Sequence, residues 1–304
     1  MKMNKILIAG ATGFIGQQLI ASLLEKGYFV NALSRKPRRS SKPQLHYFQW
    51  DTDTGFIDKS AFEEVDAIIN LTGANIGEQR WSNRRKKEIV DSRITPINLL
   101  YNFVKHNNIQ IKTFISSSAV GYYGAVTSDK IFTEESAAGK DFLAEVCQSW
   151  EQAAMQFQNL GIRTVILRKG VIIGIDGGML QKLSPLARLG INVSLGNGKQ
   201  FLPWMDVRDV IRLYDFILAN NEISGIYNAV SSEHITMNEF SRILLQSFGK
   251  KSWLPNTPAF IIKMIFGEMS VMLLEGSKVS NEKLLSTGFT FELDTLKKSL
   301  ESSM

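Results

Sequence analysis

Residues 4–9, NKILIA, form a short apolar run that stops at a glycine-rich turn, the pattern of a buried parallel strand. From 13 to 27, GFIGQQLIASLLEKG, apolar residues recur at helical spacing and end at Gly27, where a glycine C-cap closes a helix. A second strand follows at 28–33, YFVNAL. Further strand-like runs are AIINLTG (67–73), KTFISSSAV (112–120) and RTVILRKGVIIG (163–174), with helical periodicity between them at 82–106 and 141–160. Strands alternating with helices predict an α/β fold, a doubly wound parallel sheet of Rossmann type.

Beyond about residue 175 the alternation weakens. GGMLQKLSPLARLG (177–190) reads as a helix and FLPWMDVRDVIRLYDFILAN (201–220) as a short strand leading into one. The predicted division is a larger domain over 1–175 that also uses parts of 201–232, and a smaller C-terminal lobe from 176–200 and 234–304. Substrate is expected to bind in that lobe.

Composition narrows the classes. Hydrophobic residues at 44% and charged residues at 21% describe an ordinary globular chain, which excludes disorder. The net charge of +6 suits an anionic ligand; the basic stretches 35–42 and 84–87 contain no run of five like charges, and nucleic acid is not an expected partner. Cys147 is the one cysteine, so there is no internal disulfide, and with three histidines no metal site is expected. The apolar stretch 260–274 is broken by Lys263 and Glu268, short of the roughly 20 residues a membrane span needs. A glycine motif stands where a signal-peptide cleavage site would fall, so the start reads as a first strand and the expected compartment is the cytoplasm.

The candidate chemistry begins at GATGFIG, where Gly10, Gly13 and Gly16 join the first strand to the first helix. Residues without side chains let the backbone, here including Thr12, Phe14 and Ile15, approach a pyrophosphate that faces the helix N–H groups. Domains that bind NAD usually carry an acid at the end of strand two for the ribose 2′-hydroxyl. Here that place holds Ser34-Arg35-Lys36. A carboxylate repels a 2′-phosphate and a guanidinium pairs with it, so the predicted cofactor is NADP(H). A solvated basic loop is the plain alternative. Asp51 is a candidate acceptor from an adenine amino group, and Leu71, Thr72 and Gly73 are expected beside the cofactor. Loop capping is the alternative for these.

With those residues in place, the chain resembles the short-chain dehydrogenase/reductase superfamily in its extended, epimerase-like branch. GATGFIG, FISSSAVGYYG (114–124), LRKGVIIG (167–174) and PWMDVRDV (203–210) carry the resemblance over nearly the whole chain. NLTGANIGEQRWSNRRKKEIVDSRI (70–94), TEESAAGKDFLAEVCQSWEQAA (133–154) and LLEGSKVSNEKLLSTGFTFE (273–292) are similar to a subgroup labelled "epimerase family protein", which ends in a short domain of uncharacterised function.

The resemblance implies a catalytic serine at Ser118, with Ser117 the alternative, and a Tyr-x-x-x-Lys pair about two dozen residues later. That place holds Phe142 and Val146, neither of which moves a proton. Tyr122 and Tyr123 are the next candidates, then Glu134 and Glu145. Arg168 is placed with the cofactor residues, and together with Asp209 it resembles residues that shape the pocket or tie the lobes. Trp81, Lys87, Ser92 and Arg93 either face the cleft or dock a helix. Two functional readings follow: an NADP(H)-dependent oxidoreductase or epimerase with an atypical site, or an NADP(H)-binding sensor without turnover. The substrate is a small molecule of unassigned identity. Extended-branch relatives often dimerise through a helix pair, which here would involve 86–106 and 141–158.

Overall fold

The computed structural model describes residues 4–175 and 177–303. The first half alternates as the pattern requires: β1 (Lys5–Ala9), α1 (Phe14–Glu25), β2 (Phe29–Ser34), β3 (Leu45–Asp51), β4 (Phe56–Ile57), β5 (Ala67–Asn70), α2 (Asn83–His106) and β6 (Thr113–Ala119). Then come β7 (Ile131–Phe132), α3 (Phe142–Met155), β8 (Arg163–Lys169), β9 (Val171–Gly174), α4 (Gly178–Arg188) and β10 (Trp204–Asp206). The chain closes with α5 (Val207–Ala219), β11 (Gly225–Ala229), α6 (Met237–Ser247), α7 (Ala259–Phe266), β12 (Lys278–Val279) and short terminal helices.

The main sheet runs β11-β8-β6-β5-β1-β2-β3-β4, parallel throughout except for the edge strand β4. It is a Rossmann-type α/β sheet. Strand order reverses between β1 and β5, and a crevice opens there at the carboxyl ends of the strands. The unbroken apolar character of β1 has a direct cause. Ile6 and Ile8 pack into the layer of α1 and α5, whereas Leu7 and Ala9 pack into the layer of α2 and α3, and all four are fully buried.

The predicted strand 163–174 divides at Gly170. A Cβ there would lie 2.4 Å from the Pro203 carbonyl oxygen, and this close approach turns the chain out of the main sheet. β9 therefore pairs with β10 in a separate two-stranded sheet. Ile173, Leu180, Trp204, Phe240, Leu244 and Leu296 form the core of the smaller lobe beside it. Within the apolar stretch 260–274, Met269 is buried while Met264 is 69% exposed. No helix among the described residues is long and apolar enough to cross a membrane.

Two glycines hold the β1–α1 turn together. Gly10 has φ +82°, and a Cβ on it would stand 2.7 Å from the Leu71 carbonyl carbon. A Cβ on Gly16 would stand 2.5 Å from the Gly10 carbonyl oxygen, so the first turn of α1 lies directly on the loop that precedes it. Gly16→Ala is expected to cost about 1–3 kcal/mol, the usual range for overpacking a tight site. Urea unfolding measures this, and an unchanged midpoint would contradict the packing described.

Candidate functional site

A cleft of about 780 Å³ lies at the switch point. Gly10, Thr12 and Gly13 form its floor, Ser34 and Arg35 one end, and Leu71, Thr72 and Gly73 its middle. The first half of α2, from Arg84 to Pro96, makes the far wall. The neighbouring helices α2 and α3 start at side-chain caps, Ser82 and Asp141, but α1 starts at Gly13 with no side-chain cap and no acid in its first turn. Its open N–H groups and dipole therefore favour an anion on the glycine turn. At the end of β2, the Ser34 hydroxyl donates to the Lys36 carbonyl and shapes the loop. Arg35 is exposed and makes no ion pair among the described residues. These features fit the phosphates of a dinucleotide.

The other expected cofactor residues have different surroundings. The Asp51 carboxylate accepts from the Asp53 amide at 2.9 Å and the Thr54 hydroxyl at 2.9 Å, which caps its own loop, and these bonds hold it below the usual carboxylate range. Phe14 turns its ring onto Gly174 and Gly177, and Ile15 packs on the core between α1 and α5. Gly16 acts through the contact with Gly10. Arg168 is removed from the cleft altogether.

Arg168 lies at the centre of a buried network. Its Nε and Nη2 each donate to Glu151 of α3 at 2.8 Å, and its Nη1 donates to the Tyr123 hydroxyl at 3.1 Å. Its guanidinium carbon stands 3.3 Å from the centre of the Tyr122 ring. Ser118 Oγ donates to the same Glu151 carboxylate at 2.6 Å and is 1% exposed. Tyr123 donates to Asn228 Oδ1 at 2.6 Å, and burial pushes its phenol up to about 12. Asn228 in turn donates to the Ser280 carbonyl, while Glu134 accepts from the Asn228 amide at 2.7 Å. In this structure the hydroxyls of Ser118 and Tyr123, two of the catalytic candidates, both donate within the buried network. Tyr122, half-buried, keeps a hydroxyl with no partner among the described residues. Glu145 is exposed on α3.

The places expected to hold a proton-transfer pair are packed. The Phe142 ring meets Trp81 edge-on at 5.2 Å, and Val146 is buried with Trp81, Ile89 and Met269. Trp81 docks α2 and its indole N–H donates to the Ile76 carbonyl. A Tyr-x-x-x-Lys spacing does occur once, from Tyr101 to Lys105, but at the end of α2 remote from the cleft, where Tyr101 packs on Phe157. On the cleft wall, Ser92 accepts from the Ala74 amide and Arg93 donates to the Ala74 carbonyl, which fixes the loop after β5. Lys87 pairs with Asp91 at the surface. Cys147 is buried, and its thiol is pushed up to about 12 by burial first and Glu151 second.

Comparison with known proteins accounts for this frame. Residues 6–229 match the profile of the NAD dependent epimerase/dehydratase family. The chain belongs to that family. Residues 257–303 match a domain of unknown function, DUF1731. The epimerase family protein Mb2239 of Mycobacterium bovis is 35% identical over 299 residues, covering 97% of this chain and 96% of the relative. YfhF of Bacillus subtilis, also described as an epimerase family protein, is 32% identical over 292 residues, 96% of this chain and 95% of the relative. Among solved structures, the human epimerase family protein SDR39U1 with NADPH superposes with a TM-score of 0.86 at 29% identity, covering 98% of each chain. Members of the family are generally enzymes.

Two residues of the site escaped the sequence reading. Glu151 looked like one of many polar positions on a helix; its only signal was a charge among Trp150, Ala153 and Ala154. Lys169 follows Arg168 at the end of β8, and the signal was a second charge closing a buried strand. Its Nζ donates to Ser117 Oγ at 2.7 Å, on the sheet face opposite Arg168. Residue 169 is half-buried, yet its ammonium is packed within protein, and burial first and Arg93 second push it down to about 7.

Glu151→Ala is expected to cost about 3–5 kcal/mol, because it strands a buried guanidinium. The double variant Glu151→Leu/Arg168→Met should recover part of that loss in chemical denaturation, and additive losses would contradict a coupled pair. A second expectation concerns pH. Folding disfavours the charged form of Lys169, so between about pH 7 and the ordinary lysine range near pH 10 the unfolded chain holds more protons. Stability attributable to this group therefore rises with pH across that window. Native protein should show the steeper rise relative to Lys169→Met, and equal slopes would contradict the assignment.

Proposed function

We propose that the chain binds NADP(H) in the switch-point cleft and acts as an oxidoreductase or epimerase on a small molecule held between the sheet and the C-terminal lobe. The observation that carries this reading is a pair of features at opposite ends of one cleft. The uncapped start of α1 lies over the glycine turn, and at the end of β2 an exposed arginine stands where an acid would be needed for NAD. The solved relative with NADPH supports it.

In this reading the Gly13–Gly16 amides hold the diphosphate and Arg35 holds the 2′-phosphate, with Ser34 shaping the loop that presents it. Thr72 and Gly73, ending β5, border the path of the cofactor across the sheet. When bound, the cofactor supplies reversible hydride exchange at C4 of its nicotinamide ring. The chain's own residues orient it, exclude water and move the accompanying proton. A second reading, binding without turnover as a redox sensor, is favoured by one observation: where a proton-transfer pair is expected, Phe142 is partly buried against Trp81 and Val146 is buried.

Trp50 lines the cleft, so its fluorescence reports occupancy. NADPH is expected to quench it at lower concentration than NADH. Arg35→Ala should weaken NADPH by about 10- to 100-fold, the value of a charge-assisted contact of about 1.5–3 kcal/mol, and leave NADH unchanged. Equal affinity for both cofactors in the native protein would refute the role given to Arg35. Steady NADPH consumption with any carbonyl compound would decide for the enzyme over the sensor.

A further inference from the structure

Two cations in this region have no carboxylate partner among the described residues: Arg93, which donates to the Ile89 and Ala74 carbonyls, and Lys169. Arg168 is neutralised by Glu151, but its neighbour Lys169 points to the other face of β8, where Ser117 Oγ accepts its proton at 2.7 Å. Among the described residues Lys169 makes no ion pair. Few titratable groups face it. Arg93 of α2 repels its charge, and Tyr214 of α5 brings a buried neutral hydroxyl beside Ser117. A lysine buried for structure alone is normally paired, because an unpaired ammonium away from water is costly. Burial first and Arg93 second push the amine down to about 7, toward the range in which a side chain serves as both acid and base.

Its position is as informative as its environment. Lys169 is the last residue of β8 and lies opposite Ala119, the last residue of β6. The cleft crosses the sheet from the end of β2, past the glycine turn, to the end of β5, and the next strands in that direction are β6 and β8. A dinucleotide that starts at Arg35 therefore reaches β6 and β8 with its second half.

We propose that Lys169 is the proton-transfer group of this site, facing the nicotinamide half of the cofactor, with Ser117 as the positioning residue that fixes its amine. The proposal rests on the NADP(H) reading above. In the reducing direction an N–H bond of the ammonium breaks, its electron pair stays on nitrogen, and an O–H bond forms on the substrate's carbonyl oxygen. In the oxidising direction the neutral amine takes that hydroxyl proton back. The hydride that balances the change at carbon is the cofactor's contribution. The substrate class is a compound with a carbonyl or secondary hydroxyl at the reacting carbon.

The test needs no known substrate. Lysines are labelled with ¹³C at Cε, and the Lys169 signal is identified by its loss in Lys169→Met, or in Lys169→Arg if the first variant does not fold. The signal is followed over pH alone, with NADPH, and with 2′,5′-ADP, which carries the adenosine half without nicotinamide. The expected result is titration near pH 7 and a shift with NADPH that 2′,5′-ADP does not produce. Titration in the ordinary range near pH 10, or equal responses to both ligands, overturns the proposal. Trp50 fluorescence in the same samples reports binding. If neither ligand quenches it, the cofactor reading falls and takes this proposal with it, and that readout distinguishes the two failures.

Discussion

The ion pair between Arg168 and Glu151 decides what the rest of the site can do. Two opposite charges taken from water are tolerated only when the geometry is close and the remaining donors are satisfied. Here the fork of Arg168 meets both carboxylate oxygens, and its other nitrogen reaches Tyr123. Ser118 completes the carboxylate's shell, Tyr122 covers the guanidinium face, and Tyr123 passes the network through Asn228 to Ser280 in the C-terminal segment. One buried charge pair thus fastens α3 to β8 and the sheet to the tail. Its consequence is chemical as well as structural, since the hydroxyls of Ser118 and Tyr123 are both engaged by it in this structure.

The two faces of the sheet therefore have separate work. On the face of α3, Arg168, Glu151, Ser118 and Tyr123 are matched to one another, and Phe142 and Val146 stand where a proton-transfer pair is expected. On the face of α5, Lys169 and Ser117 remain without a compensating carboxylate, at the strand ends the crevice leads to. The crevice depends on another constraint, the close stacking of the first turn of α1 on its own loop. That stacking requires hydrogen at Gly16, and glycine at position 13 leaves the helix start without a side-chain cap. A structure built this way offers its main-chain amides to an anion and its unpaired lysine to a proton.

Much of the frame was legible in the chain because periodicity is a local property. The apolar run of β1, the helical spacing of α1 and the glycine turn were each visible within a dozen residues, and together they imply the doubly wound sheet. The parts that escaped depend on contacts distant in sequence. Gly170 breaks a continuous apolar run only because Pro203 presses against it. β4, β7 and β12 are two-residue strands, too short to show a period. Ser118 stands at the expected distance before Phe142, and nothing local announces that Glu151, 33 residues on, takes its hydroxyl. Asp51 was readable as an acceptor, but its loop partners Asp53 and Thr54 were not.

In the proposed reading the buried network stays structural while the opposite face meets the cofactor. A crystal structure of the protein with NADPH bound tests it most directly. The expected complex keeps the Arg168–Glu151 pair intact and Ser118 bonded to Glu151, with Lys169 as the nearest ionisable side chain to the nicotinamide ring. A complex in which Glu151 has released Ser118, and the serine hydroxyl has turned to the nicotinamide face, would contradict it.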